Sequence, residues 1–596
     1  MENNNLNLVD DASENKNEGY VFLGTATERF IFIVVLGILS CAPIMFGKGI
    51  PSHADWHIHM VRASIFKTAF WEGNFLPRWV DFPASGYGLP VFNFYASLIY
   101  YLYAFVDLFF RDPIISIKLS FILPMILCYI FGYIYLRNLG SSISATITMA
   151  FLVFSPAIHI FIYNTNWPGS TLAIAFLFMA LYGIDSFKDK FDLKNILIVA
   201  LSYAGVVLSH LATGFMFTLL CVPYFLFNLA IHRSRAFVKN FIFSFILGGG
   251  LCAYYIIPAT LETKLVNAVE VHVRGVLWDF SKNFLFTYLD RSAQEGYAWA
   301  IFDHRYYEVS NALFISTVGI FIVILLANIQ HISEITSKGL KVYSKILMFL
   351  ISFIMMTPIS MFVWLLLKPL KTIQFPWRFT SFVLVFGLAV IVYALDLIRV
   401  LSSKYQSSIG YKYIFAIVFI LFGALSYVDF INMYKWKWAP EESLLRAARC
   451  VLWPHEEYRP KVDGNPDILK YGFDQDFAPA VFSTNPNINI EFKKWDSSEK
   501  VFEVFSEIQH QAQLRIIYYL GWNIFIDGKP TDVRVNKSSG AIVINIPPGK
   551  HEVRAVFRDT GVRKIADYIS LISLVLFVVL CFKLFRKNDE ELKTGE

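Results

Sequence analysis

The stretch IISIKLSFILPMILCYIFGYIYL, residues 114–136, decides the fold class of this chain. Its one charged residue is Lys118, and the run is long enough to cross a bilayer as a helix, for which about 20 apolar residues are needed. Similar windows elsewhere predict about twelve spans in all, the others at 29–47, 143–162, 168–186, 195–212, 214–231, 238–258, 309–328, 346–366, 379–398, 412–431 and 565–585. With 56% hydrophobic and 16% charged residues, the chain is predicted to be a polytopic α-helical membrane protein.

The polar segments between these windows predict the orientation. Basic residues cluster in alternate loops, at Arg137, Lys188, Lys190, Lys194, Arg233, Arg235, Lys239, Lys338, Lys341, Lys345, Arg399, Lys404, Lys412, Lys583, Arg586 and Lys587. Because Lys and Arg favour cytoplasmic loops, we expect these loops and both termini to lie in the cytoplasm. Residues 1–28 are polar and lack the basic start of a signal peptide, which predicts a disordered cytoplasmic tail.

This orientation predicts which segments share the outer face. They are the first outer loop 48–113, the loops 163–170, 209–214, 259–308 and 368–378, and the polar segment 432–563. The apolar run 91–110 contains Asn93, Asp107 and many aromatic residues, and counting it as a span would invert the orientation of the later loops. We therefore expect it to be an interfacial or re-entrant helix.

Residues 432–563 predict a separate extracytoplasmic β-sandwich-like domain. KVFEVF at 500–505 alternates apolar and polar residues, Asp527-Gly528 predicts a hairpin turn, and a Pro-Pro-Gly turn divides AIVINIPPGKHEVRAVF. The predicted organisation is thus a membrane domain at 29–431, this β-rich domain, and a last transmembrane helix with a cytoplasmic tail at 564–596.

The sequence SHADWHIHMVRASIF, residues 52–66, is the strongest candidate for chemistry. It places Asp55, His57, His59 and Arg62 at the start of an amphipathic stretch just beyond the first span. A lone carboxylate there is also explained by a solvated helix end. Asp, His and His could together present three metal ligands, but neither an H-E-x-x-H motif nor a cysteine pair completes such a site. A divalent metal therefore stays an open alternative, and no cofactor is predicted with certainty.

Other candidates lie in the predicted outer loops. Lys371 and Arg378 in KPLKTIQFPWR run against the positive-inside trend, so they either anchor the interface or hold an anionic group such as phosphate. His210 in SHLATG lies at the end of a span and is also explained as a hydrogen-bonded helix end. Tyr163, Asn164 and Trp167 are also explained by an aromatic belt. The sequence shows no nucleotide-binding module and no basic-aromatic strip for nucleic acid.

A set of motifs in this order resembles one family. They are Asp55 with His59, GNFLPRW (73–79), GYGLP (86–90), Phe94-Tyr95, SHLATG (209–214), QFPWR (374–378), EYRP (457–460), YYLGWNIFIDGK (518–529) and PPGKHEV (547–553). The chain resembles the YfhO-like membrane proteins, also labelled 6-pyruvoyl-tetrahydropterin-synthase-related. Those proteins are similar to the GT-C superfamily of glycosyltransferases, which use polyprenyl-phosphate sugars.

This resemblance implies a GT-C-like fold and a function in the bacterial inner (plasma) membrane. It implies a lipid-linked sugar donor, a catalytic carboxylate at Asp55, and an acceptor that is an extracytoplasmic glycan, lipid or protein of the cell envelope. The residues assigned to substrate binding are His57, His59, Arg62, Arg78, Tyr163, Asn164, His210, Lys371, Gln374 and Arg378. A single carboxylate with no evident partner favours single displacement with inversion. Asp55 is expected to be oriented by His59.

Two other function classes stay open. A transporter or flippase of lipid-linked sugars would also have many spans, although transporters often show inverted repeats and interrupted helices, and the sequence reveals neither. A non-catalytic envelope-assembly scaffold would display the β-rich domain but would not need Asp55 and the outer cations.

Overall fold

The computed structural model describes residues 25–52, 55–81, 86–232, 234–268, 280–285, 304–332, 340–404, 438–449, 456–461 and 479–594. The α-helices are α1 (Ala26–Ser40), α2 (Ala42–Phe46), α3 (Trp56–Trp71), α4 (Val91–Phe94), α5 (Leu98–Phe110), α6 (Pro113–Leu139), α7 (Ser142–Val153), α8 (Pro156–His159), α9 (Pro168–Asp185), α10 (Leu193–Ser209), α11 (Leu211–His232), α12 (Arg235–Leu251), α13 (Ala253–Leu261), α14 (His304–Ala327), α15 (Leu340–Met355), α16 (Met361–Leu366), α17 (Thr380–Lys404), α18 (Glu441–Arg449) and α19 (Gly561–Thr594).

Helix α6 contains the stretch that opened the sequence analysis. Asp112 caps it by accepting from the backbone nitrogens of Ile114 at 2.8 Å and Ile115 at 3.0 Å, and Pro113 occupies the first turn, where a missing N–H costs nothing. Helix α17 is the central one, because its apolar window is entirely buried inside the protein. A helix that is apolar on all sides is buried on all sides. Helices α6, α7, α9, α14 and α15 contact it.

The predicted count of about twelve spans is not confirmed. Among the described residues, five helices are long and apolar enough to cross a membrane, or up to eight if three bent pairs each form one span. Predicted spans 195–212 and 309–328 contain apolar helices of fewer than 18 residues, Leu193–Ser209 and Phe314–Ala327. The predicted span 412–431 lies outside the described residues.

Interrupted helices are present, which corrects the expectation that there are none. The pairs α7–α8, α12–α13 and α15–α16 bend by 59°, 74° and 85° at short breaks. The first and third breaks are followed by Pro156 and Pro358, which cannot donate the next helical hydrogen bond. The run 91–110 is also divided, into α4 and α5, and its interfacial or re-entrant placement stays a prediction.

The C-terminal part forms two antiparallel sheets. Its strands are β3 (Val481–Ser483), β4 (Asn489–Trp495), β5 (Glu499–Ser506), β6 (His510–Ile517), β7 (Trp522–Ile526), β8 (Lys529–Pro530), β9 (Arg534–Val535), β10 (Ala541–Ile546) and β11 (Gly549–Phe557). One sheet has the order β3-β6-β10-β9 and the other β4-β5-β11-β7-β8. A further small sheet pairs β1 (Gly49–Pro51) with β2 (Trp438–Pro440). The sandwich packing and the domain boundaries stay predictions.

The two turn motifs have different outcomes. The Asp527-Gly528 turn is confirmed: both residues have positive φ, 50° and 76°, and Ile526 pairs with Lys529 across the turn. The Pro-Pro-Gly segment does not close a hairpin, because β10 pairs with β6 and β9 whereas β11 pairs with β5 and β7. The chain therefore crosses from one sheet to the other at these prolines, whose missing N–H groups suit a crossing better than a ladder.

Buried charges join the sheets to the helices. Glu262, at the end of α13, accepts from Arg563 of α19 at 2.9 Å, from the Tyr519 hydroxyl at 3.0 Å and from the Asn93 amide at 2.8 Å. Arg78 joins this network, since its Nη1 lies 3.5 Å from the Asn93 side-chain oxygen and its Nη2 forms an ion pair of 2.6 Å with Asp567 of α19. This network holds the first loop, the β-region and the last helix together.

Candidate active site

Asp55 lies immediately before α3 and is half-buried. Its side chain makes no capping hydrogen bond to the helix, so the carboxylate is available for other contacts. Oδ2 accepts a hydrogen bond of 2.9 Å from the indole Nε1 of Trp167. Trp167 comes from the loop before α9, 112 residues later in the chain. The structure thus brings two of the predicted outer loops together at one carboxylate.

The sequence analysis expected His59 to orient Asp55, but the described hydrogen bond of His59 is to another residue. The His59 ring is buried, and Nδ1 lies 2.9 Å from the Tyr100 hydroxyl. Burial, assisted by the charge of Arg62, lowers the pKa of His59 to about 3, so the ring is neutral near pH 7. The orienting contact comes instead from Trp167, because an indole N–H can only donate and therefore favours the carboxylate.

His57 lies on the other side of the α3 start and is partly exposed. Burial lowers its pKa, and the negative charge of Asp55 opposes this shift. His57 is therefore close enough to Asp55 to sense its charge. Within the described residues no group of three His, Cys, Asp or Glu side chains could hold a metal ion, and a divalent metal here stays a prediction.

An aromatic stack connects Trp167 to the QFPWR motif. Trp167 and Trp377 are stacked with ring centroids 5.2 Å apart and planes 2° from parallel. Phe375 stacks on Trp377 at 4.9 Å. The guanidinium of Arg378 lies 5.0 Å from the Phe375 ring and 5.5 Å from the Trp167 ring. Arg378 is thereby placed next to the side chain that holds Asp55.

The backbone before this arginine is strained. Gln374 has φ 69° and ψ −43°, and the Phe375 N–H donates to the Ile373 carbonyl at 2.8 Å. This is a γ-turn of the rare type with positive φ. The same carbonyl accepts from Arg378 Nη1 at 2.9 Å. Such strain concentrates at functional sites, where the surroundings impose it. Gln374 is buried and contributes this turn, which aims Arg378.

Arg62 is a second guanidinium of the site, because His57 and Tyr95 sense both its charge and that of Asp55. Its guanidinium lies 3.9 Å from the Tyr95 ring and 5.7 Å from the Tyr458 ring, and Nη2 is 3.7 Å from a carboxylate oxygen of Glu457. The EYRP motif therefore reaches the same site as the first loop. Burial raises the pKa of Tyr95, and the charges acting most on its hydroxyl are those of Arg62, Asp55 and Arg378.

The SHLATG motif also lies near the site, because the charge of Arg378 acts on His210. His210 ends α10, and its Nδ1 lies 2.7 Å from the Thr213 hydroxyl. Burial and the charge of Arg378 lower the pKa of His210 to about 3, so it too is neutral. A Cβ on Gly169 would lie 2.7 Å from the Ser209 carbonyl oxygen, so only glycine lets the start of α9 approach the end of α10 this closely.

Four assigned residues are not brought to Asp55 by their described contacts. Arg78 pairs with Asp559 at 3.1 Å and with Asp567 at 2.6 Å, which gives it a structural role at α19. The Tyr163 hydroxyl donates to the Ser40 carbonyl at 2.8 Å within the core. Lys371 lies 5.9 Å from the Phe280 ring. Asn164 belongs to a π-helical turn, Ile160–Asn164, and its side chain lies outside the described part of the structure.

Three residues with contacts in the candidate site were not predicted to have them from the sequence. Trp167 was explained as a belt residue, and Tyr100 and Glu457 were not assigned to the site. The signal for Glu457 was its membership of EYRP, and for Trp167 its position just before Pro168, where a short helix-start loop fixes the side chain's direction.

Comparison with known proteins gives one family match. Residues 92–431, more than half of the chain, match the 6-pyruvoyl-tetrahydropterin synthase related domain, described as a membrane protein. The chain therefore belongs to this family of membrane proteins. An uncharacterized protein of Lactococcus lactis subsp. cremoris (strain MG1363) is 24% identical over 209 residues, which is 34% of this chain and 33% of that protein.

Two solved structures are similar at low identity. The arabinofuranosyltransferase AftD from Mycobacteria is 13% identical with a TM-score of 0.42, covering 66% of this chain and 26% of that one. The Archaeoglobus fulgidus oligosaccharyltransferase is 11% identical with a TM-score of 0.35, covering 72% of this chain and 56% of that one. This chain thus spans well under two thirds of each of these proteins, and scores this low do not establish a shared fold.

Proposed function

We propose that this membrane protein is a GT-C-type glycosyltransferase that moves a sugar from a polyprenyl-phosphate donor to an extracytoplasmic acceptor, with Asp55 as general base. The observation that carries the proposal is the half-buried Asp55 carboxylate, held by the Trp167 N–H with the Arg378 guanidinium on the same indole. A base and a cation share one small site, as this reaction requires.

The proposed reaction is a single displacement. Asp55 takes the proton of the acceptor hydroxyl as the acceptor oxygen bonds to the anomeric carbon of the sugar. The bond from that carbon to the phosphate oxygen breaks, and its electron pair leaves with the polyprenyl phosphate. The configuration at the anomeric carbon is inverted, because one carboxylate acts and no covalent sugar-enzyme intermediate forms.

Arg378 is the proposed partner of the leaving phosphate. His59 and His210 are neutral near pH 7, so they contribute no charge. The described ion pair of Arg62 is with Glu457, and its guanidinium packs on Tyr95, which suits a wall that shapes the approach of donor or acceptor. A preorganised guanidinium stabilises a phosphate as its negative charge develops, and a planar fork can hold two of its oxygens.

The test is transfer of label. The purified protein is incubated with labelled polyprenyl-phosphate sugars and a membrane glycan extract from the source cells. We expect label to move to an envelope glycan, lipid or protein, with the anomeric configuration inverted. Free labelled sugar or an unchanged donor, at all donors tried, would contradict the proposal.

A flippase is the second candidate, and the three bent helix pairs favour it, because discontinuous helices often line transport sites. The discriminating measurement uses proteoliposomes with labelled lipid-linked sugar on one side. Movement of intact donor across the bilayer, with no bond broken, would support transport. Transfer without movement supports the glycosyltransferase.

A further inference from the structure

A second cleft lies at the far end of α3, between the first loop and the sheets. Its volume is about 140 Å³, and its lining includes Glu72, Asp81, Trp495, Ser497 and Arg515. An apolar cavity of about 150 Å³ holds a benzene ring, so this cleft has room for one ring-sized group. Helix α3 has 16 residues, which places the cleft about 24 Å along the helix from Asp55.

The charges around this cleft balance. Asp81 forms a 2.6 Å ion pair with the buried Lys500. Glu72 accepts from both the backbone nitrogen and the hydroxyl of Ser497, at 3.0 and 2.8 Å. Arg515 lies 5.7 Å from the Trp495 ring, and the Asp81 charge acts on it. Two carboxylates and two cations leave no net charge to attract an ion of either sign.

Polar groups with unused hydrogen-bonding capacity remain in the lining. Within the described residues, the buried Trp495 Nε1 has no acceptor. Both described hydrogen bonds that Glu72 accepts are to Oε2, so its other carboxylate oxygen, Oε1, has no described donor. A hydroxyl group can accept from the indole and donate to the carboxylate at once, whereas a cation or an anion can satisfy only one of them. The indole of Trp495 adds apolar surface to the lining, and the Arg515 guanidinium and Lys500 Nζ lie 5.7 and 5.6 Å from its ring.

We propose that this cleft binds one neutral sugar unit of a glycan whose end reaches Asp55. The identification of that glycan as the acceptor rests on the proposed function, whereas sugar binding by the cleft does not. An acceptor that occupies both places must be several units long, so the cleft would select an extended glycan over a monosaccharide.

The test is binding of the full-length protein, in nanodiscs, to an array of neutral and acidic oligosaccharides. We expect neutral oligosaccharides to bind and Trp495→Ala to weaken this binding about tenfold or more, because aromatic anchors carry much of the energy of such contacts. Trp495→Phe keeps a ring but loses the N–H, so it should weaken binding less. Phe505→Ala, an exposed aromatic residue on β5 outside the lining, is the matched control and should bind normally.

A further variant separates the alternatives. Glu72→Gln keeps an acceptor oxygen without the charge, so a neutral ligand should bind nearly unchanged, whereas loss of binding would indicate a cation and overturn the proposal. The array contains no sugar donor and measures binding without turnover, so its outcome distinguishes failure of this site from failure of the proposed chemistry. Binding of no neutral glycan at millimolar concentration, or equal binding by Trp495→Ala, would mean that the cleft holds only water.

Discussion

Two aspartates lie at opposite ends of helix α9 and have very different surroundings. Asp185 is the last residue of the helix, and Asp55 comes from the first loop and contacts Trp167, just before its start. At its start, Asp55 receives one described hydrogen bond, from Trp167. At its end, Asp185 receives Lys345 Nζ at 2.6 and 2.8 Å, the Tyr135 hydroxyl at 3.3 Å and the Tyr224 hydroxyl. The side chains of Asp185 and Lys345 are 1% and 0% exposed. We call the fully paired Asp185–Lys345 cluster the structural lock. The carboxylate of Asp55, with one described hydrogen bond, has oxygen lone pairs left for the proposed substrate.

This contrast separates two uses of a buried charge in an apolar protein. A fully paired buried carboxylate is unreactive. Removing either partner destabilises the protein, because the other is left as an uncompensated buried charge. Partial pairing leaves the carboxylate oriented but reactive. We therefore expect mutations at the Asp185 cluster to change stability and mutations at the Asp55 cluster to change turnover.

The largest expected effect is at the structural lock. Lys345→Met should lower the free energy of unfolding by about 3–5 kcal/mol, because Asp185 is left buried without its cation. Thermal unfolding in nanodiscs measures this loss. The double variant Asp185→Asn with Lys345→Met should recover part of the stability, and equal losses in the single and double variants would show that the pair does not act as a lock.

A smaller effect is expected from the orienting contact of Asp55. Trp167→Phe keeps an aromatic ring against Trp377 but removes the N–H that holds the carboxylate, so sugar transfer should slow about tenfold or more with little change in stability. Rates of label transfer measure this effect. Trp71→Phe, exposed at the far end of α3, is the control. Equal rates for Trp167→Phe and the control would remove the orienting role.

The proposed phosphate contact gives the next effect. Arg378→Lys keeps the charge but loses the planar fork and its packing on Trp167, so the Kd for donor should rise by several-fold. Lys371→Gln should weaken donor binding less, because Lys371 contacts Phe280 rather than the Asp55 cluster. A larger effect at Lys371 than at Arg378 would place the phosphate elsewhere.

The smallest effect is expected at an exposed pair that joins Asp527, in the β7–β8 turn, to His551 of β11. The Asp527 contact raises the pKa of His551 and the same contact lowers that of Asp527. A raised His pKa adds stability that is complete below the unfolded value of about 6.5 and is lost as pH rises through the folded pKa. Asp527 contributes above its unfolded pKa of about 3.9 and loses this as pH falls.

The measurement is the difference in Tm between wild type and His551→Gln. It should be small at about pH 6, in keeping with an exposed pair, and smaller still at about pH 9. A difference as large as that for Lys345→Met would break the distinction between exposed and buried pairs.

Local features of this fold were predictable from the sequence, and the meeting of distant segments was not. The Asp527-Gly528 turn needs only two residues with positive φ, and the strand at 500–505 follows from its alternation. The bends at Pro156 and Pro358 carried a readable signal. The crossing at Pro-Pro-Gly did not, because a turn motif does not say which strand is the partner.

The candidate site divides in the same way. Asp55 and Arg378 stand in motifs and were assigned from the sequence. Their connection through Trp167 and Trp377 joins residues about 200 positions apart, and an aromatic residue at a helix end is equally well explained by a membrane interface. Arg78 was assigned to substrate as a residue of the GNFLPRW motif, but its partners Asp559, just before α19, and Asp567, on α19, appear only in three dimensions.

The most direct test of the contrast is the turnover and donor binding of Asp55→Asn. This variant keeps the shape of the side chain and removes its basicity, so transfer of labelled sugar should fall by about 10²- to 10⁴-fold while the Kd for donor and the Tm stay close to wild type. Near-normal transfer by the folded variant would contradict the account and return Asp55 to the role of a solvated helix end.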